Sequence, residues 1–366
     1  MPSPNIVTTL ELNDPATLIA LAEKVRPAAH FLYDRYCVCN PATDIFPTED
    51  IHIEYQDKAG RKLAPLVHKG YKSSGRRGYY TDKLTAARTA EKRSLTVEDY
   101  MRKGFGESLF GGKDGAQRAL EMTRTDLTNL TDNTIRRWEA MASDLLCNNK
   151  YTLNYVKSDA NGSDEDATPV EVSFIDSDEG NICAYTPDAL WNTDGAKLLD
   201  DIVAMCRQLE DNGGSAQDIL VGSSVFAWIL QNKQAQQLLD LRRVEMMQIA
   251  PSVKGQGATL KGLINVDGYD LNIIEYREKY HNDSGVLTPF LPHNKVIVTE
   301  PGVIRSLFAA VTQVEQSNPG TYTTHYKKMV PKYIGDYHND TSELMMVSRP
   351  VLAPIMKGGW VSATVL

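Results

Sequence analysis

The sequence AQRALEMTRTDLTNLTDNTIRRWEAMASDLLCNN, residues 116–149, contains neither glycine nor proline. Its apolar residues recur mostly three, four or seven positions apart, among them Leu120, Leu127 and Leu145, which places them on one face of a helix. The opposite face carries charged residues: Arg118, Asp132, Arg136, Arg137 and Asp144. At 1.5 Å per residue such a helix would be about 50 Å long. We predict one long helix that serves as a backbone for packing and holds no ligand site.

Glycines lie on the N-terminal side of this helix, at Gly104 and Gly106 and again at Gly111 and Gly112. Glycine adopts backbone conformations that other residues avoid, so a glycine pair is a natural place for two units to move relative to each other. We therefore predict a hinge at Gly104 and Gly106, between the long helix and the segment that precedes it.

The preceding segment is strongly basic. Residues 61–103 hold 12 Lys and Arg against 4 Asp and Glu. The whole chain of 366 residues has 39 Lys and Arg and 47 Asp and Glu, a net charge of -8. The residues outside 61–103 therefore carry a net charge of -16, from 27 cations and 43 anions. Alternating residues at 51–55 and turn residues around Gly75 predict that this basic tract is a β-hairpin projecting from the body.

The basic hairpin allows two interpretations. Its cations are interleaved with tyrosines, as in nucleic-acid-binding surfaces, but it has too few apolar residues for a core of its own. Alternatively, its cations contact the acidic surface of a neighbouring identical subunit, and the charge distribution favours this interpretation. In both cases the candidate contact residues are Arg61, Lys69, Lys72, Arg76, Arg77, Tyr79, Tyr80, Arg88, Lys92 and Arg93.

The rest of the sequence predicts a mixed α+β fold. Strands are predicted at 151–155, 170–175, 218–221, 269–276, 295–299, 343–354 and 360–365. Helices are predicted at 15–25, 195–212 and 225–241, and a mobile loop at 251–262. These elements follow no repeated strand–helix–strand order, which argues against a parallel α/β sheet.

Motifs of common enzymes are absent from the sequence. It has no phosphate-binding G-x-x-x-x-G-K-[ST], no G-x-S-x-G and no H-E-x-x-H. The five cysteines are widely spread and predict free thiols. No secretory signal is expected at the N-terminus, and no apolar stretch approaches the roughly 20 residues that span a bilayer. We predict no catalytic, cofactor or metal site, and no membrane partner.

Several short motifs carry a resemblance when they are taken in their order along the chain. The long helix contains Arg136-Arg137-Trp138-Glu139-Ala140-Met141-Ala142, and a turn before a predicted strand reads Phe290-Leu291-Pro292-His293-Asn294. With Ala64-Pro65-Leu66-Val67 in the basic tract and Ser348-Arg349-Pro350 near the C-terminus, the chain resembles the lambda-type (family E) major capsid proteins of tailed bacteriophages. These have the Hong Kong 97-type capsid fold.

The resemblance implies an organisation for the chain. Residues 1–45 would be an N-terminal arm and 46–110 an extended β-hairpin loop that contacts other subunits. Residues 111–190 would form a peripheral domain with the spine helix, 191–333 an axial domain, and 334–366 strands returning to the peripheral domain. The residues singled out are Arg136, Arg137, Trp138, Glu139 and Met141 on the spine helix, and Phe290, Leu291, Pro292 and Asn294 at the axial turn.

The resemblance also implies a function. Such proteins assemble as hexamers and pentamers into an icosahedral shell, which encloses double-stranded DNA without binding it specifically and expands on maturation. The expected partners are identical subunits, with portal, scaffold and decoration proteins. Assembly would take place in the bacterial cytoplasm and the product would be the virion. No isopeptide crosslink between subunits is predicted, because no donor, acceptor and acid can be matched.

Overall fold

A computed structural model describes most of the chain. The described residues are 30–56, 79–96, 98–99, 115–153, 169–175, 180–193, 195–232, 247–255, 257–314, 320–336, 338 and 341–366. The predicted helix at 15–25 therefore lies outside the described residues, as do Arg61, Lys69, Lys72, Arg76, Arg77, Gly104 and Gly106.

Four helices and 22 strands have assigned bounds within these ranges. The helices are α1 (Phe31–Tyr36), α2 (Gly115–Asn148), α3 (Leu198–Asn212) and α4 (Val225–Gln231). The strands in the first part are β1 (Cys37–Val38), β2 (Ile45–Phe46), β3 (Asp50–Gln56), β4 (Tyr79–Thr85), β5 (Thr89–Thr96), β6 (Lys150–Leu153), β7 (Val170–Ser173), β8 (Ala184–Tyr185) and β9 (Asp218–Val221). The later strands are β10 (Met247–Gly255), β11 (Ala258–Val266), β12 (Tyr269–Tyr276), β13 (Lys279–His281), β14 (Leu287–Pro289), β15 (Lys295–Thr299), β16 (Ile304–Ala309), β17 (Val311–Val314), β18 (Tyr322–His325), β19 (Val330–Asp336), β20 (Thr341–Ser348), β21 (Pro350–Pro354) and β22 (Trp360–Thr364).

The long helix predicted from residues 116–149 is confirmed as α2. It ends where Asn149 takes a positive φ of 56°, a conformation that asparagine tolerates better than most residues. Burial rises along the helix: Leu120 is 40% exposed, whereas Leu145 and Leu146 are fully buried. The C-terminal part of α2 is therefore enclosed by the rest of the chain.

A seven-stranded sheet forms the centre of the fold, in the order β10-β11-β12-β9-β15-β22-β8. Successive side chains of a strand point to opposite faces, and here both faces are apolar. Ile219 and Val221 of β9 belong to the core that contains α3, whereas Leu220 between them belongs to the core that contains the C-terminal part of α2. The sheet thus lies between α2 on one face and α3 on the other.

Smaller sheets complete the fold. Strand β16 pairs with β1 and β2 in parallel and with β21 in antiparallel orientation, and β20 lies between β19 and β5. Strands β3 and β4 form a two-stranded antiparallel hairpin from Asp50, opposite Thr85, to Gln56, opposite Tyr79. No helix among the described residues is long and apolar enough to cross a membrane.

The mobile loop predicted at 251–262 is wrong. Residues of this segment belong to β10 and β11, which pair with register shifts at two places. Gly257 of this segment takes a turn position with a φ of +71°. The segment is an edge hairpin of the main sheet.

Two sheets combine strands from segments that the prediction assigned to different units. Strand β5 lies within the predicted hairpin range 46–110, but it pairs with β20 over Thr89–Thr96 rather than with the hairpin. The main sheet includes β8 and β22, so it extends beyond the range 191–333 at both ends. Pairing over such sequence separations cannot be inferred from local alternation, which specifies a strand but not its neighbour.

Candidate assembly site

The spine residues predicted from the sequence lie in the C-terminal part of α2. Trp138, Glu139 and Met141 are buried, with 3%, 0% and 2% of their surface exposed, whereas Arg136 is exposed. Arg137 forms an ion pair with Asp283 in the turn between β13 and β14. This part of the helix therefore fixes neighbouring elements of its own subunit.

The ring of Trp138 connects α2 with two other elements. Its centroid lies 5.3 Å from the ring of Tyr33 in α1 and 5.0 Å from that of Phe308 in β16. Aromatic pairs at these separations add to the stability gained from burial, typically by about 1 kcal/mol. Trp138 thus packs α1 and β16 against the spine helix.

Glu139 is a buried carboxylate that three donors surround. Its Oε1 accepts hydrogen bonds from the backbone N–H of Leu32 at 2.8 Å and from the hydroxyl of Tyr276 at 2.7 Å. Its Oε2 accepts one from the backbone N–H of Tyr33 at 2.6 Å. Burial raises the pKa of Glu139 to about 7, although the three hydrogen bonds oppose this shift. One side chain of α2 therefore joins α1 to β12.

Asp218, at the start of β9, holds the other end of α1. It is fully buried, and Arg35 contacts both of its oxygens, at 2.6 Å and 2.9 Å. The hydroxyl of Tyr36 and the side-chain amide of Asn272 also donate to it, each at 3.0 Å. Helix α1 is thus bound to the spine helix at one end and to the main sheet at the other.

The axial turn Phe290–Asn294 joins α2, the sheet and the C-terminal strand. The hydroxyl of Ser143 in α2 donates to the carbonyl of Phe290, and the carbonyl of Asn294 accepts from the N–H of Val365 at 2.9 Å. A Cβ at Gly222 would lie 2.3 Å from the carbonyl oxygen of Pro292, so only glycine allows the end of β9 to approach this turn. The turn is a structural junction inside the subunit.

The base of the basic hairpin is anchored in the main core. Ile51 and Ile53 of β3 are buried, with 0% and 3% of their surface exposed, whereas His52 between them is exposed. Lys83 of β4 forms an ion pair with Asp50 at 2.7 Å across the hairpin. The described part of the hairpin thus has a fixed base, and the backbones of Tyr79 and Tyr80 lie on its β4 side.

Two of the predicted contact residues have ion-pair partners in their own subunit. Lys92 of β5 forms an ion pair with Glu343 of β20 at 3.3 Å, and Arg93 forms one with Asp126 of α2 at 3.4 Å. The reason is that β5 pairs with β20 and lies beside α2. Arg88, just before β5, is exposed.

Several positioning residues were not predicted from the sequence. Helix α1 has only six residues, too few for a periodic pattern, and its partner carboxylate Asp218 lies in a fully buried strand. Another example is Asp44, whose Oδ1 accepts hydrogen bonds from Arg305 at 2.5 Å and 2.9 Å. Only the spine motif around Glu139 gave a signal, and it did not indicate what the carboxylate binds.

Two observations on the described residues concern metal and ligand binding. Among these residues, no three His, Cys, Asp or Glu side chains converge to hold a metal ion. A cavity of about 380 Å³ lies where β3, β16 and β21 meet, and its lining includes His52, Glu300 and Arg305. Arg305 of this lining forms an ion pair with Asp44.

Solved structures with a similar fold indicate the fold class of this chain. A crystal structure described as a capsid protein of an Escherichia coli CFT073 prophage has a TM-score of 0.64 and 13% sequence identity, covering 96% of this chain and 99% of that one. The mature capsid of bacteriophage PhiM1 has a TM-score of 0.46 at 12% identity, covering 93% and 87%. A phage-related protein from Bordetella bronchiseptica RB50 has a TM-score of 0.46 at 10% identity, covering 96% of each chain. No curated protein matches the sequence.

The fold is thus the mixed α+β fold of the Hong Kong 97-type capsid proteins, with its long spine helix. A family model described as phage major capsid protein E matches residues 14–365, and the chain belongs to that family. The predicted resemblance is confirmed. The protein is a structural component of the virion and not an enzyme: it is the major capsid protein of a tailed phage and forms an icosahedral shell.

Proposed function

We propose that the subunits assemble as hexamers and pentamers, in which the basic hairpin of one subunit lies on the acidic surface of its neighbours. The observation that carries this proposal is the charge distribution: +8 within 61–103 against -16 on the other residues. Opposite charges of this kind steer association and fix the register of an interface. Contacts of this head-to-tail type close into rings.

The described base of the hairpin supports this arrangement. Ile51 and Ile53 fix β3 in the core, so the base keeps a defined direction. A two-stranded ribbon is at best marginally stable on its own, and packing against other chains would supply the missing stabilisation. Since Lys92 and Arg93 pair within the subunit, the proposed contact residues are Arg61, Lys69, Lys72, Arg76, Arg77, Tyr79, Tyr80 and Arg88.

The remaining organisation is part of the same proposal. Residues 1–45 act as an arm, and residues 191–333 form an axial domain that meets its copies around the five- and six-fold axes. Gly104 and Gly106 form the hinge used during expansion. Val253 of the edge strand β10 is 80% exposed, which suits a contact between copies. Portal, scaffold and decoration proteins are the further partners, no subunit crosslink forms, and the enclosed DNA is not bound specifically.

Charge reversal on the hairpin tests this proposal. In the variant Arg76→Glu/Arg77→Glu, repulsion replaces attraction, and we expect negative-stain images at low salt to show at least tenfold fewer shells than for the unmodified protein. The matched control is Lys197→Glu/Arg207→Glu, which reverses two exposed cations of the body. The control should assemble normally.

The second interpretation, nucleic-acid binding by residues 61–103, predicts different results. The unassembled protein would bind DNA with an affinity that falls steeply with salt, because cations on phosphates release counterions. The hairpin variant would lose this binding and still form shells. Normal assembly of the hairpin variant would contradict the proposed contact between subunits.

A further inference from the structure

Helix α1 is held between two structural units by two buried carboxylates of different character. Asp218 of the main sheet faces the guanidinium of Arg35, whose pKa is raised by this pairing, so that end of α1 has a permanent charge partner. Glu139 of the spine helix faces only neutral donors, namely two backbone N–H groups and the Tyr276 hydroxyl. No ion pair of the described residues includes Glu139.

The surroundings of Glu139 make its ionised form costly. On α1, the like charge of Asp34 adds to the effect of burial in raising the pKa, and the thiol of Cys37 follows at the end of the helix. The other titratable groups nearby are Arg136 on α2, which is exposed, Tyr276 at the end of β12, and Glu278 just beyond that strand. The imidazole of His30 lies before α1, and burial lowers its pKa, which disfavours a cation there.

The direction of the pH effect follows from linkage. A carboxyl whose pKa is higher in the docked state than in the open state binds a proton on docking. Its contribution to docking is therefore complete below its ordinary pKa and is lost as the pH rises through the docked value of about 7. Linkage therefore predicts that ionisation of Glu139 weakens the attachment of α1 to the spine helix.

We propose that Glu139 is a proton-operated latch: in its protonated form it holds the start of α1, from His30, against the spine helix, and this attachment loosens as the pH rises. Asp218 keeps the other end of α1 attached to the sheet. The role of Glu139 is positional: it acts through the docking of α1. The proposal concerns contacts within one subunit, so it does not depend on how the subunits are arranged in the shell.

Amide hydrogen exchange of the full-length protein tests the latch, because the N–H groups of Leu32 and Tyr33 donate directly to Glu139. After correction for the intrinsic pH dependence of exchange, we expect protection of residues 30–36 to fall about tenfold between pH 6 and pH 8, the factor that one proton with a pKa near 7 implies. In Glu139→Gln, which cannot ionise, this fall should be absent.

Two further variants keep the test decisive. Asp144→Asn removes another partly buried carboxyl of α2 that faces Lys295 and Arg137 instead of α1, and it should retain the tenfold fall. Tyr276→Phe removes one donor to the ionised carboxylate, so the midpoint of the fall should move to higher pH; it also provides the test if Glu139→Gln does not fold. Three results would each overturn the proposal. They are protection of residues 30–36 that is independent of pH in the unmodified protein, a tenfold fall that persists in Glu139→Gln, and an unshifted midpoint in Tyr276→Phe.

Discussion

The two halves of α2 differ in what surrounds them. In the C-terminal half, Leu145 and Leu146 are fully buried, and Glu139 binds groups from two other elements. In the N-terminal half, Leu127 and Leu130 are buried against β20, but Leu120 is 40% exposed and Arg124 is exposed. One continuous helix thus changes from a core element to a partly exposed one. The subunit completes its own core at one end of the helix and leaves apolar and charged surface at the other.

Truncation of a buried leucine in the C-terminal half of α2 should reduce the stability of the subunit most. Leu145→Ala leaves a cavity in the main core and should lower the free energy of unfolding by about 2–5 kcal/mol. The matched variant Leu120→Ala removes the same atoms from the exposed half and should change it by about 0.5 kcal/mol or less. Urea denaturation of the unassembled subunit measures both. Equal losses in the two variants would contradict the difference between the halves.

A smaller effect is expected at Asp144, also in the C-terminal half. Burial raises the pKa of this carboxyl to about 6, so its ionised form disfavours the folded state above that pH, and protonation relieves this as the pH falls. Asp144→Asn should therefore stabilise the subunit by up to about 3 kcal/mol at pH 8, the value that corresponds to a pKa raised from 3.8 to about 6. Thermal denaturation at pH 8 and pH 5 provides the measurement, and the gain should shrink at pH 5. A gain that is the same at both pH values would show that ionisation is not its cause.

The smallest effect is expected in the N-terminal half, at the ion pair between Arg93 and Asp126. Both side chains keep some exposure, 39% for Arg93 and 15% for Asp126, and water screens such pairs. Arg93→Ala should lower the free energy of unfolding by about 0.2–1 kcal/mol, and less at high salt. Arg124→Ala, at an exposed position of α2, serves as the control and should have almost no effect. A loss above about 2 kcal/mol would mean that β5 depends on this pair.

The same contrast explains how far the sequence predicts the fold. The bounds of α2 and the strands Asp218–Val221, Tyr269–Tyr276 and Lys295–Thr299 were predicted correctly to within one residue, because periodicity and burial are local properties. The pairing of β5 with β20 joins residues that are about 250 positions apart, and no local pattern contains this information.

For the candidate site too, the sequence identified individual residues but not the residues that they contact. Glu139 belongs to a recognised motif of α2, but its partners Leu32 and Tyr276 lie 107 and 137 positions away in the sequence. The sequence therefore does not distinguish this carboxylate from the other charged residues of the helix. Similarly, Lys92 and Arg93 contributed to the basic count of 61–103, although tertiary pairing within the subunit occupies both. Charge counts identify a basic segment but do not show which of its cations remain available to a neighbour.

In the proposed shell, the basic hairpin of one subunit, with its contact residues between Arg61 and Arg88, lies on the acidic surface of another. A cryo-EM reconstruction of shells formed by the full-length protein tests this most directly. We expect the density of the basic hairpin to cross a subunit boundary, with Arg76 and Arg77 beside carboxylates of a neighbouring copy. A hairpin folded back onto its own subunit, or one directed toward enclosed DNA, would contradict the account.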